Sequence, residues 1–226
     1  MESKMNNYRD YNNKTSLEKW LNLPIKKLKT VLRWGDFKNH KQRENTLEHT
    51  VKQTLITIIA IIIEYGEKAT KDPFFLLVVS ALIHDFGERP KRKANKKFGY
   101  DQSVEEKNNG DKEAIQNTEK KIMYAYLDSL PISNPEIKDL IIDFFIEAYE
   151  LQYEQTDLGK YFNSLEKLGY ITHAIDECLE QNTEYSKVLR DHYVDLSEYS
   201  KKFKSIHFLF SENKDLIDSA IDSINK

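Results

Sequence analysis

Three residues able to bind a metal lie in or beside two apolar segments. His49 stands in Glu44-Asn45-Thr46-Leu47-Glu48-His49, and His84-Asp85 follows 35 residues later in Ala81-Leu82-Ile83-His84-Asp85-Phe86-Gly87-Glu88. An imidazole and a carboxylate are costly to bury unless they are paired or coordinated. Imidazole nitrogen and carboxylate oxygen together suit a divalent transition metal. A lone His-Asp pair also fits a helix end that faces water, because short motifs recur by chance. Downstream, Arg89, Lys91, Arg92, Lys93, Lys96 and Lys97 put six positive charges into nine residues. Such a run attracts phosphate or a nucleic-acid backbone, and it equally suits a solvated surface segment.

The elements that must position these groups read as helices. Gly (7) and Pro (5) are few, and no alternating strand pattern persists. Thr15-Ser16-Leu17-Glu18 predicts a capping box for a short first helix. A second helix is expected from Pro24 to Trp34, with Pro in its first turn. A third runs over 46–65 and stops at Gly66. A fourth runs over 72–86, with Asp72 as N-cap and Pro73 as its first residue. Further helices are expected over 111–130, 134–153 and 156–180, with weaker signals over 184–204 and 212–225. Segments 46–65 and 72–86 are apolar nearly all round, which predicts a place at the bundle centre. Residues 87–110 are charged and unpatterned, and a loop of that length in a compact domain tends to be functional or disordered.

Composition narrows the class. The 226 residues carry 34 Lys+Arg and 37 Asp+Glu, a net charge of −3, which excludes a wholly basic nucleic-acid binder. Thirteen Tyr and 11 Phe supply much of a core at only 39% hydrophobic residues. One cysteine, Cys178, excludes an internal disulfide and a Cys-rich zinc site and fits a reducing compartment. It reads as a small core residue. No secretory signal is expected from the polar start, and no membrane span, because the longest apolar runs are short. The expectation is a cytoplasmic protein with a polar tail over 1–14 and one helical domain over 15–226.

The order of the motifs resembles the HD-domain metal-dependent phosphohydrolases. Arg33-Trp34, Glu44-Asn45, Glu48-His49 and His84-Asp85-x-x-Glu88 are similar to the bacterial 5′-deoxynucleotidase branch and its eukaryotic relatives. So is Glu147-Ala148-Tyr149-Glu150 followed by Phe162 to Leu168. The match spans about residues 30–181, leaving 184–226 as C-terminal helices. The resemblance implies an all-α HD-domain bundle with a long charged loop after the His-Asp motif. It implies one divalent ion (Mn, Co, Mg, Zn, Ni or Fe) held by His49, His84, Asp85 and a fourth carboxylate. That last position, an Asp in the family, holds Glu166 here, and Asp176 is the alternative ten residues on. Glu88 would orient or deprotonate water. The family's downstream Gly-Asp is absent, with Lys93 near its place and Asp101 as a displaced substitute.

By the same resemblance the substrate is a nucleoside or deoxynucleoside 5′-monophosphate. Arg33 and Trp34 would reach it, and Lys91, Arg92 and Lys93 would offset its charge. Trp34 taken alone also reads as core cover. His40 lies in the loop before the third helix, near enough to approach the site. His173 reads as a satisfied helix histidine. Two other readings stand beside the nucleotidase. One is a nucleotide-binding or regulatory HD protein without turnover. The other is a phosphodiesterase acting on a larger nucleotide or a nucleic-acid end, recruited through residues 89–97. A homodimer is compatible with all three.

Overall fold

Local start and stop signals place most of the helices. The computed structural model describes residues 16–34, 37, 43–70, 73–87, 99–100 and 112–224. Among these residues the chain forms an all-α bundle of nine helices. They are α1 (Leu17–Leu28), α2 (Thr46–Tyr65), α3 (Phe74–Ile83), α4 (Lys112–Asp128), α5 (Pro135–Glu150), α6 (Asp157–Leu179), α7 (Ser186–Tyr199), α8 (Lys204–Glu212) and α9 (Lys214–Ile224). Asn45 caps α2 through a reciprocal box with Glu48, at 3.0 and 3.1 Å. Gly66, at φ 56°, ends the same helix. Asn134 caps α5, with Pro135 in its first turn, and Thr156 caps α6.

Four expectations need correction. Residues 24–34 do not form a separate helix, because α1 runs through Pro24. Pro24 has no N–H to return to the Trp20 carbonyl. That carbonyl instead faces the Tyr126 hydroxyl at 3.4 Å, while the Trp20 indole N–H donates to the Tyr126 carbonyl at 3.0 Å and the rings stack. Beyond α1, Val31–Leu32 form a short strand, β1, parallel to β2 (Gly99–Tyr100), inside the stretch expected to be unpatterned. Helix α3 stops at Ile83, and His84–Gly87 continue as a tighter 3₁₀ turn. Lastly, α3 is buried as expected but α2 is not at the centre: seven of its 20 residues are buried, against 13 of the 23 in α6. Tyr161, Phe162, Leu165, Leu168, Ile171, Ala174, Ile175 and Cys178 of α6 lie in the main core. Burial pushes the Cys178 thiol up to about 11, consistent with a core role. Helix α2 shares that core along one face only, and its other face is open to solvent.

With its following turn, α2 is also long and apolar enough to cross a bilayer by length and composition. It packs on α3 and α6 here, and its buried face carries His49, Thr50, Gln53 and Thr57. Those polar groups are what a core helix beside a polar site needs, and lipid would not satisfy them.

A smaller core joins Trp20, Val79, Ile83, Met123, Leu127 and Tyr149. The His84–Gly87 turn lies where the two cores meet. Ile83 belongs to the smaller one, while the His84 ring meets Phe162 of the larger at 5.9 Å. Gly87 closes the turn against the Tyr149 hydroxyl and the Glu119 carbonyl, and a Cβ there would lie 2.8 Å from that carbonyl oxygen. Backbone cannot swing aside as a side-chain tip can. Gly87→Ala is therefore expected to destabilise the fold by about 1–3 kcal/mol, the usual cost of overpacking. The urea midpoint reads the loss, and an unchanged midpoint would show that the turn relaxes freely.

Candidate metal centre

The capping box starts α2 so that His49 points inward one turn later. The 3₁₀ turn tightens the end of α3 and turns His84 and Asp85 toward it. All three side chains are buried, and one ligand atom from each lies within 4.8 Å of the others. His84 Nε2 is 3.3 Å from Asp85 Oδ2 and 3.7 Å from Glu166 Oε1. The two imidazole rings are 5.7 Å apart.

Each histidine is oriented from its far nitrogen. His84 Nδ1 faces the Ala81 carbonyl at 2.9 Å, an acceptor only, so Nδ1 carries the proton and Nε2 offers a lone pair. His49 Nδ1 faces Glu44 Oε2 at 3.6 Å, longer than a hydrogen bond, and the carboxylate favours a proton on that nitrogen. Among the described residues no hydrogen bond reaches His49 Nε2, although it is buried. Burial first, and then the Arg33 charge, push the His49 imidazole down to about 3, so it is neutral and able to ligate. Burial alone would raise the Glu44 carboxyl, but the His49 contact and the neighbouring charges, Arg33 among them, hold it below the usual carboxylate range. Lys52 Nζ also bonds Glu44, at 3.0 Å. A neutral His49 imidazole whose buried Nε2 has no hydrogen bond among the described residues, the His84 imidazole and a buried carboxylate fit a divalent ion.

Arg33 closes one side. Its Nη1 lies 3.2 Å from Asp85 Oδ2, and its guanidinium sits 5.5 Å from the Tyr170 ring centre. Next to it, Trp34 has φ 59°, a left-handed conformation unusual for a bulky residue. Ring contacts hold it there, stacked on His173 at 5.4 Å and edge-on to Tyr170 and Tyr185. Trp34 therefore covers core and borders the site at once.

Glu166 lies beside His84, at the edge of the group of three. Asp176 is exposed and sits about 15 Å further along α6, at ~1.5 Å per residue. It has no place in the cluster. Glu166→Gln is expected to weaken metal binding at least ~10-fold, as outer-shell losses do or more, and Asp176→Asn to leave it unchanged. Calorimetric titration with Mn²⁺ ranks the two, and the reverse order would overturn the placement. Glu88, Lys91, Arg92, Lys93 and Asp101, like His40 and the whole of the basic run, fall outside the described residues.

Sequence reasoning left three contributors unassigned. Glu44 orients His49, and its only signal is its place just before the capping box. Tyr170 stacks on His49 at 5.8 Å. His173 is not a satisfied helix histidine: it is buried, and neither ring nitrogen has a hydrogen-bond partner among the described residues. Among the described residues Gln53 and the Trp34 indole N–H are also buried without hydrogen-bond partners, so unused donors and acceptors extend from the His49, His84 and Asp85 cluster along α2 and α6.

No protein-family model matches the chain, and no curated protein matches it in sequence.

Proposed function

We propose that this chain is an HD-type, metal-dependent phosphohydrolase that splits nucleoside or deoxynucleoside 5′-monophosphates into nucleoside and phosphate. The observation that carries the reading is the buried convergence of His49, His84 and Asp85, each histidine faced from behind by an acceptor oxygen, with Arg33 against the carboxylate. The nitrogen donors favour Mn, Fe, Co, Ni or Zn over Mg. When bound, the ion polarises a phosphoryl oxygen and lowers the pKa of water.

The chain's own residues supply the rest. His49, His84 and Asp85 hold the ion, with Glu166 adjoining. Arg33 offers a planar fork that can pass from Asp85 to a phosphate without leaving the site. Glu88, three residues beyond Asp85 in sequence, takes the proton of the attacking water. Trp34 and His173 supply aromatic rings and, with the Gln53 amide, hydrogen-bonding atoms unused among the described residues, which suits a flat, polar nucleoside better than a simple alkyl phosphate.

The test is chromatographic separation of the products formed from nucleoside 5′-monophosphates, cyclic dinucleotides and short oligonucleotides, with free phosphate assayed alongside and each of Mn²⁺, Co²⁺, Ni²⁺, Fe²⁺, Zn²⁺ and Mg²⁺ supplied in turn. Release from monophosphates supports the proposal. Cleavage confined to diesters overturns it in favour of a phosphodiesterase. Tight metal binding without hydrolysis overturns it in favour of a binding or regulatory protein.

A further inference from the structure

The outward face of α2 has no partner among the described residues. Val51, Leu55, Ile58, Ile59 and Ile62 recur at helical spacing along it, each between 37 and 57% exposed. No charged residue interrupts α2 between Lys52 and Glu64. Helix α3, packed alongside, adds Phe75 at 63% and Leu82 at 46%. Phe75 stacks on Phe144 of α5 at 5.4 Å, and α5 extends the patch through Ile137 and Leu140. Hydrophobic residues scattered singly over a surface need no explanation, but a contiguous stripe over three helices marks an interaction site.

We infer that this face is the interface of a homodimer, with α2 and α3 of one copy packed on the same helices of another. The size fits: the seven side chains of α2 and α3 alone expose on the order of 700 Å², against ~800 Å² per partner in a standard interface. Among the described residues no helix covers it. The residues outside the described set include no Leu or Ile and a single Val, Val104, and are mostly charged or polar. Charge argues against a lipid surface. A helix lying in a membrane interface is rimmed by Lys and Arg. Here each end of the α2 stripe carries one exposed acid and one exposed base, Glu48 with Lys52 and Glu67 with Lys68, the half-buried Glu64 being turned to the Ser205 N–H, while exposed Asp139, Asp143 and Glu147 edge the α5 side. Balanced ends suit two-fold pairing, in which each meets its mixed-charge counterpart, and the carboxylates would repel anionic headgroups. An isologous contact of this kind closes at two copies.

Light scattering on the full chain tests the inference. The wild type is expected at twice the 26.7 kDa chain mass. Leu55→Lys and Ile59→Lys should each weaken the dimer at least ~10-fold, and the double variant about 100-fold. Both positions are half exposed, so far-UV circular dichroism should stay native. Val194→Lys, equally exposed but on α7, should leave the dimer intact and control for added charge. A wild type of single-chain mass, or a dimer that survives the double variant, overturns the inference. A monomeric wild type that co-sediments with phosphatidylcholine or phosphatidylserine vesicles overturns it in favour of a lipid surface.

Discussion

Alanine at His84 or Asp85 is expected to take bound metal from one ion per chain to none and to abolish phosphate release. The loss should exceed the ~10–100-fold that outer-shell changes at metal sites cost, because each residue offers a ligand atom within the group of three. Stability separates the two variants. In metal-replete buffer both lose the mass-action stabilisation of a bound ligand, about 2.7 kcal/mol at a hundredfold excess over Kd. With a chelator present, only the intrinsic packing counts. Asp85 and Arg33 are each 7% exposed at the side chain, so Asp85→Ala removes a carboxylate from beside a buried guanidinium. Breaking such a pair costs about 3–5 kcal/mol. Asp85→Ala should therefore melt well below His84→Ala in chelator, although both are equally metal-free. Elemental analysis after dialysis gives the metal content, and thermal melts with and without chelator give the stability. Unchanged metal in both variants would remove the site assignment.

Acid is expected to unfold the chelated protein in two stages. Burial pushes His49 down to about 3 and also lowers His173 and His192 below the ordinary histidine value of 6.5. In the unfolded chain all three titrate near 6.5. Above that pH they are neutral in both states and contribute nothing. Below it the unfolded state binds more protons, so stability falls with pH. The loss reaches about 1.4 kcal/mol per pH unit for each histidine while the pH lies between its two values. Glu44 acts lower down. Its folded value is depressed, so its stabilisation is present above 4.5 and is lost as the pH falls below that. Urea midpoints at pH 7.5, 6.5, 5.5 and 4.5 trace the first stage. His192→Gln should flatten it without altering the second, because His192 answers to Lys167, Asp195 and Asp191 and not to Glu44. A stability constant from pH 7.5 to 5 would show that these histidines are protonated in the fold.

What the sequence determined by itself lies within three or four residues of its own signal. Asn45 and Glu48 cap each other, so the start of α2 is readable, and Gly66 marks its end. Asn134-Pro135 and Thr156 open their helices in the same way. These contacts are local, and the chain makes them with little help from packing. The metal-ligating types of His49, His84 and Asp85 are legible too, because buried imidazole and carboxylate demand a partner.

Tertiary structure decided the rest. Arg33 meets Asp85 across 52 residues, and the Tyr126 hydroxyl faces the carbonyl freed by Pro24 across 106. No local pattern encodes either pairing. Glu44 reaches His49 from just outside α2, with its own carbonyl accepting from the Arg33 N–H at 3.0 Å, so its role depends on the strand beside it. Apolar content placed α2 at the centre, but burial is settled by which helices close around which face. Thirteen residues of α6 are buried, against seven of α2, because α6 has α2, α7 and α9 packed around it. Helix α2 carries its surplus of Ile and Leu on a face that no helix among the described residues covers. Periodicity reports how much apolar surface a helix owns, and only the packing of its neighbours shows how much of that surface remains in water.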